Sequence, residues 1–173
     1  MRARFAILGM LAAVVVTAGS GVSAAQAEAG QQAALATKPL VRYFDGLKHY
    51  VTSTGRPGPA YREESRVPIL TTPVSGLTKV IYSCLAGDAE RDQFLTGEAD
   101  CENSVRPVKN NKLIQQEGYL YKRRQLAATQ PLYRCYVPHT QSHFVSVRSD
   151  CEKTPTSNVI SEGVLGYFSP VGR

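Results

Sequence analysis

From Pro39 onward the chain alternates between short runs rich in Val, Tyr, Phe and Thr and clusters of Gly, Pro, Asp and Asn. This texture predicts short strands and turns. No window carries a long apolar stripe at helical period, and the best helix candidate, Ala86 to Phe94, is short enough to be a loop. Two other textures precede Pro39. Residues 28–38 are Ala- and Gln-rich without alternation and predict a flexible lead-in. Further upstream, Arg2 and Arg4 stand before an apolar run from Phe5 to Val16, and small residues follow as far as Ala25-Gln26-Ala27. That order is the order of a secretory signal peptide, expected at 1–27, with Ala27-Glu28-Ala29 as the second choice of cleavage site. A membrane anchor is the competing reading, but the run is shorter than the roughly 20 residues that span a bilayer. The expected product is secreted and extracellular, with no membrane span after signal removal.

Self-comparison of the remainder shows internal repetition. Ile81-Tyr82-Ser83-Cys84 aligns with Leu132-Tyr133-Arg134-Cys135, and Asp92-Gln93-Phe94-Leu95-Thr96 with Ser142-His143-Phe144-Val145-Ser146. Asp100-Cys101-Glu102 aligns with Asp150-Cys151-Glu152, and Glu117-Gly118-Tyr119-Leu120 with Glu162-Gly163-Val164-Leu165. A third, diverged copy opens at Leu40-Val41-Arg42-Tyr43, continues in His49-Tyr50-Val51-Thr52-Ser53 and closes in Val67 through Pro73, matched to Val164 through Pro170. The first copy lacks both cysteines and the Glu-Gly pair. The expected organisation is a β domain at 39–173 with repeats at about 40–76, 79–124 and 131–170.

Four cysteines in a secreted chain predict disulfides, and four cysteines allow three connectivities. Cys84 and Cys101 hold the same slots as Cys135 and Cys151, so pairing within each repeat is the connectivity that respects the repetition. Each bridge would close a loop worth about 3 kcal/mol of chain entropy. No cysteine pair has the close spacing of a zinc site, so no metal and no cofactor are expected.

Each repeat offers three strand-like blocks, with a weaker fourth at Lys112-Leu113-Ile114. One such unit cannot bury its apolar face alone. Three around a common axis can, which predicts an all-β, three-repeat, β-trefoil-like closed barrel with disulfides inside the repeats. A barrel of fewer strands and a three-bladed propeller are the competitors; propellers typically have more blades.

The run Pro131 to Tyr136, then Ser142-His143-Phe144-Val145-Ser146, Glu162-Gly163 and Gly166-Tyr167 resembles a secreted bacterial and fungal repeat family of unknown function. That family reads roughly Tyr-Arg-Phe-Tyr-Asn, Asp-His-Phe-Tyr-Thr, Glu-Gly, Gly-Tyr. The resemblance covers residues 40–170 and is best in the third copy; Gln141-Ser142 stands where the family has Gly-Asp. The family occurs beside carbohydrate-active and cell-wall enzymes, so the resemblance implies a lectin-like binding accessory and no catalytic residue.

The 173 residues carry a formal charge of +6. Removing 1–27 takes Arg2 and Arg4 and leaves 18 basic against 14 acidic residues, +4. This balance is too weak for a nucleic-acid partner. Lys122-Arg123-Arg124 is either a solvated turn or a weak patch for an anionic wall polymer. There is no tryptophan, so the Gln-x-Trp signature of ricin-type lectins is missing. Tyr43, Tyr82, Tyr133, Phe94 and Phe144 recur and predict core layers. Tyr136 and Tyr121 break the recurrence and are candidate stacking platforms for sugars. His143, His139 in the turn after Pro138, and Asp150 complete the candidate binding residues. His49, Gln93 and His143 share one slot, which predicts a structural hydrogen-bonding role, since a catalytic slot tolerates Gln poorly.

No nucleophile elbow is present, and the carboxylate pairs Asp100/Glu102 and Asp150/Glu152 are duplicated, whereas an active site appears once. The expected function is therefore a monomeric, non-catalytic module for an extracellular or cell-wall polysaccharide. The alternative is a secreted protein-binding module or protease inhibitor presenting the loop Thr54 to Arg62, with Arg56 and Arg62 as its key residues.

Overall fold

Nine strands and no helix form among the described residues: β1 (Thr37–Phe44), β2 (His49–Thr52), β3 (Arg62–Leu70), β4 (Thr78–Leu85), β5 (Gln93–Thr96), β6 (Lys112–Tyr121), β7 (Gln130–Val137), β8 (Ser142–Ser146) and β9 (Ile160–Phe168). The computed structural model describes residues 35–89, 91–105, 109–125 and 129–170. The expected signal peptide at 1–27 lies outside the described residues. Of the expected flexible lead-in, Thr37 and Lys38 are strand residues, paired with Leu70 and Ile69. The described residues of the helix candidate Ala86 to Phe94 form no helix; they run as loop into β5 at Gln93. Lys112-Leu113-Ile114 is the start of β6 and makes no separate fourth strand.

The strands fall into three units, β1–β3, β4–β6 and β7–β9. In each, the first strand lies between the second and third and is antiparallel to both. The third strands join at Leu70↔Tyr119 and Tyr121↔Tyr167. β3 and β9 touch without a ladder, so hydrogen bonding does not close the sheet. The three short second strands pack against one another. They pair with the C-terminal halves of the first strands, while the third strands converge beside the N-terminal halves.

The core follows this threefold register. Leu40, Ile81 and Leu132 come from the first strands, Val51, Leu95 and Val145 from the second, and Ile69, Leu120 and Phe168 from the third. All nine are at most 6 % exposed. Each aliphatic side chain so buried contributes roughly 1.5–3 kcal/mol. Glycine sits where third strands approach a neighbour. A Cβ on Gly166 would lie 2.7 Å from Leu120 Cβ, and one on Gly118 would lie 2.8 Å from the Leu70 carbonyl oxygen.

Bulges decide where the acidic side chains of the third strands go. The register passes from Arg42↔Ser65 to Tyr43↔Glu63, leaving Glu64 as the extra residue. It passes from Arg134↔Gly163 to Cys135↔Ser161, leaving Glu162, and from Ser83↔Gln115 to Cys84↔Leu113, leaving Ile114. A bulge re-aims the side chain it carries. Glu64, Ile114 and Glu162 are therefore counterparts. Gly118 faces Ile81 and Gly166 faces Leu132, so Gly118 matches Gly166 and the Glu117-Gly118 to Glu162-Gly163 alignment is corrected. The same register matches Val67 to Gly166 and shifts the closing Val67–Pro73 alignment by two residues.

The bridges are Cys84–Cys101 and Cys135–Cys151, each with Cα atoms 5.8 Å apart. They nucleate two small apolar clusters with Phe94 and Phe144. In the first unit Tyr43, 8 % exposed, fills the slot held by Cys84 and Cys135. Tyr43 is thus not the counterpart of Tyr82 and Tyr133, whose slot belongs to Val41.

Candidate functional site

The units meet at three seams, and two are built alike. At the seam between units 3 and 1, Arg42 of β1 donates to the Val145 carbonyl at 3.0 Å and to both carboxylate oxygens of Glu152 at 2.8 and 3.0 Å. Its Nε lies 3.0 Å from Glu64. At the seam between units 2 and 3, Arg134 of β7 donates to the Leu95 carbonyl at 3.1 Å and to Glu102, and its Nε lies 2.8 Å from Glu162. Each guanidinium also lies over an aromatic ring of the preceding unit, Arg42 over Phe144 and Arg134 over Phe94.

The Asp-Cys-Glu motif supplies the clamping glutamates. Asp100 accepts from Glu102 N–H at 3.0 Å, and Asp150 from Glu152 N–H at 3.0 Å, which shapes each turn. Cys101, Glu102, Cys151 and Glu152 all have φ between 54° and 64°. Such left-handed backbone is unfavourable for these residues, and the bridge holds it. The duplicated carboxylates are therefore split in role: the aspartates cap turns and the glutamates hold arginines.

Each arginine seam contains a sandwiched histidine. His49 stacks between Phe44 and Phe144, with centroids at 4.5 and 4.8 Å. His143 lies between Tyr136 and Phe94, at 4.5 and 5.6 Å. His49 donates its backbone N–H to Ser142 Oγ, which also lies 3.1 Å from Nδ1; His143 donates its backbone N–H to Asp92 at 2.9 Å, and its Nδ1 lies 2.7 Å from the same carboxylate. Burial, reinforced by Arg42, pushes His49 down to about 4. Burial opposes charge on His143 as well, but its hydrogen bonds to Asp92 and Glu162 outweigh it and hold its pKa above the ordinary histidine value. Burial raises Glu162, and His143 and Arg134 together overcome this, leaving its pKa lowered.

The seam between units 1 and 2 uses different chemistry. Ser83 replaces the arginine, and the Gln93 amide spans the Val51 N–H and carbonyl, both at 2.9 Å. Glu117, fully buried, accepts from Ser53 N–H at 2.6 Å and from the Gln115 amide at 2.9 Å. Gln93 thus serves the backbone-bridging role expected of its slot.

A cavity of about 160 Å³ opens at the seam between units 2 and 3. Tyr136, His143, Asp92, Glu162 and Arg134 line it, with Asp88, Lys109, Asn111 and Gln141 around its mouth. Lys109 pairs with Asp88, and the Asn111 amide bridges Gly87 N–H and the Cys101 carbonyl. The Tyr136 hydroxyl and the Gln141 side-chain amide meet no hydrogen-bond partner among the described residues. Burial raises the Tyr136 pKa, so the phenol stays protonated and able to donate.

Of the candidate residues read from the sequence, Tyr136 and His143 meet here. His139 is exposed in the turn after β7, and Asp150 is tied to Arg148 at 2.7 Å, so neither lines the cavity. Tyr121 faces Tyr167 where β6 meets β9. Asp92, Glu162, Arg134 and Gln141 are the lining residues the sequence left out. The Leu-x-Arg that opens copies one and three, replaced by Ile81-Tyr82-Ser83 in copy two, was the signal available for the arginines. Among the described residues no group of three or more His, Cys, Asp or Glu is placed to hold a metal ion, and no helix is long and apolar enough to cross a membrane.

Comparison with known protein families, with curated proteins and with solved structures returns no match.

Proposed function

We propose that this chain is a secreted, non-catalytic binding module for an extracellular or cell-wall carbohydrate, of β-trefoil type, and that the cavity between units 2 and 3 holds the sugar. The observation that carries the reading is the edge of that cavity. Tyr136 lies against His143 as a stacking platform, and its hydroxyl and the Gln141 amide remain available to sugar hydroxyls. Concave sites of this kind take orientation from a few polar groups and affinity from an aromatic face.

The lining supports binding over turnover. Among the described residues that line the cavity there is no serine, threonine or cysteine. A glycosidase acid needs a raised carboxyl pKa, and Glu162 is held the other way by His143 and Arg134. Three three-stranded units around one core support a trefoil-type arrangement with three strands per unit. Two disulfides and the signal-like start support secretion. The inhibitor alternative loses ground at one of its key residues: Arg56, though exposed, has its guanidinium engaged by the Gly58 and Pro59 carbonyls of its own loop.

The test is retention of the oxidised protein on a panel of insoluble polysaccharides, beside Tyr136→Ala. Saturable retention that falls at least about tenfold in affinity in the variant, a change of about 1.4 kcal/mol, with an unchanged melting temperature, is the expected result. Equal retention of both proteins would move the site elsewhere, and no retention on any polymer would refute the reading.

A further inference from the structure

A second concavity, of about 490 Å³, adjoins the first. Glu102, Arg134 and Glu162 line both, so the two share one wall. That wall is a partly exposed ridge: the three side chains keep 15 %, 16 % and 18 % of their surface. The first cavity is smaller than the ~300–1,000 Å³ usual for ligand pockets, whereas the second falls within that range. Val164, Leu165 and Val105 give the second an apolar floor, and Thr96, Ser104 and Glu98 give it hydroxyl and carboxylate groups.

The charges constrain what can lie there. Among the described residues around the first cavity, Asp88, Asp92, Glu102 and Glu162 outnumber Lys109 and Arg134, even with a proton on His143. In the groove Lys79 and Glu98 cancel. A polyanion would meet net repulsion at close range.

Resting on the carbohydrate reading, we infer that the ligand is an uncharged glycan chain: one unit sits on Tyr136 in the small cavity, and the following units cross the Arg134 ridge into the groove between Thr96 and Val164. The small cavity fixes the end of the run, and the groove supplies most of the contact area.

Titration calorimetry with N-acetylglucosamine, chitotetraose, glucose, cellotetraose and tetragalacturonate tests this on the wild type, Tyr136→Ala, Val164→Arg and Ser104→Tyr. Val164 and Ser104 are exposed and line the groove but not the small cavity. One of the neutral tetramers is expected to bind at least about tenfold more tightly than its monomer, with the uronate tetramer weakest. Each groove variant should bring that tetramer down to the monomer's affinity and leave the monomer unchanged. A tetramer no tighter than its monomer, groove variants without effect, or a preference for tetragalacturonate would overturn the inference and leave the cavity reading standing. Binding of none of the sugars would overturn both.

Discussion

Asp92 Oδ2 lies 2.7 Å from His143 Nδ1, and at the matching place one seam on, Ser142 Oγ lies 3.1 Å from His49 Nδ1. The rest of the two clusters is alike, with an arginine, two glutamates and two aromatic rings in each. Asp92, acting with Glu162, offsets the burial of His143, whereas the hydroxyl of Ser142 supplies no charge to offset the burial of His49 and the field of Arg42. His143 is stabilised as the cation, and His49 is stabilised as the neutral ring.

NMR titration of the two rings is expected to place His49 near 4 and His143 above its unperturbed value. Asp92→Asn should lower the His143 pKa, and Ser142→Asp should raise that of His49. The consequences for stability have opposite signs. Between pH 6.5 and about 4 the unfolded chain takes up the His49 proton and the folded chain does not, so stability falls as pH falls through this window. His143 stabilises the fold below its unfolded pKa, and that contribution is lost as pH rises through its folded value. Denaturation midpoints measured from pH 4 to 9 should show both slopes. Asp92→Asn should flatten the one at higher pH.

Each disulfide holds a left-handed Cys-Glu turn whose glutamate grips an arginine across a seam. Replacing Cys84 and Cys101 by serine should cost about 2–5 kcal/mol in urea unfolding. The same change should reduce sugar binding, because Glu102 no longer anchors Arg134 in the ridge. Replacing Cys135 and Cys151 should cost similar stability while affecting binding less, since Glu152 serves the other seam. Equal losses of binding in both variants would contradict this division.

The all-β class, the disulfide pairing and two of the cavity residues, Tyr136 and His143, were legible in the sequence. The first two follow from local composition and from cysteines holding equivalent slots. Tyr136 and His143 stood out because Tyr136 departs from the recurrence and His143 heads a strand. The acidic partners were not legible, for a physical reason. Glu64 and Glu162 are extra residues in bulges, and a bulge shifts the pairing without marking the composition. Aligning Glu117-Gly118 with Glu162-Gly163 matched letters and missed that shift, which hid Glu64 altogether. Asp92 and Leu95 reach the site from a neighbouring unit, a relationship that comparison of the units with one another does not contain.

Gly166→Ala should destabilise the protein by about 1–3 kcal/mol, because its Cβ would meet Leu120 Cβ at 2.7 Å. Gly163→Ala meets no atom within 4 Å, yet its φ of 108° makes it strained by conformation alone. The pair separates steric from backbone cost.

Glu117→Ala should cost about 1–3 kcal/mol, since the half-buried Ser53 N–H and Gln115 amide both lose an acceptor. Glu117→Gln keeps an acceptor and should cost less. Because this seam lies away from the cavity, neither variant should alter sugar binding at temperatures where it remains folded.

The contacts of Arg42 also bear on the order of assembly. Its partners Val145 and Glu152 lie 103 and 110 residues along the chain, whereas Leu95, Glu102 and Asp92 lie 39, 32 and 51 residues from the groups they meet in the third unit. Loop closure favours the shorter spans. During folding the second and third units are expected to join first, and the first unit is fastened to the third last. Removing the Arg42 guanidinium would then speed unfolding and leave the folding rate nearly unchanged. On this route the growing structure acquires its cavity before its first and last strands are clasped.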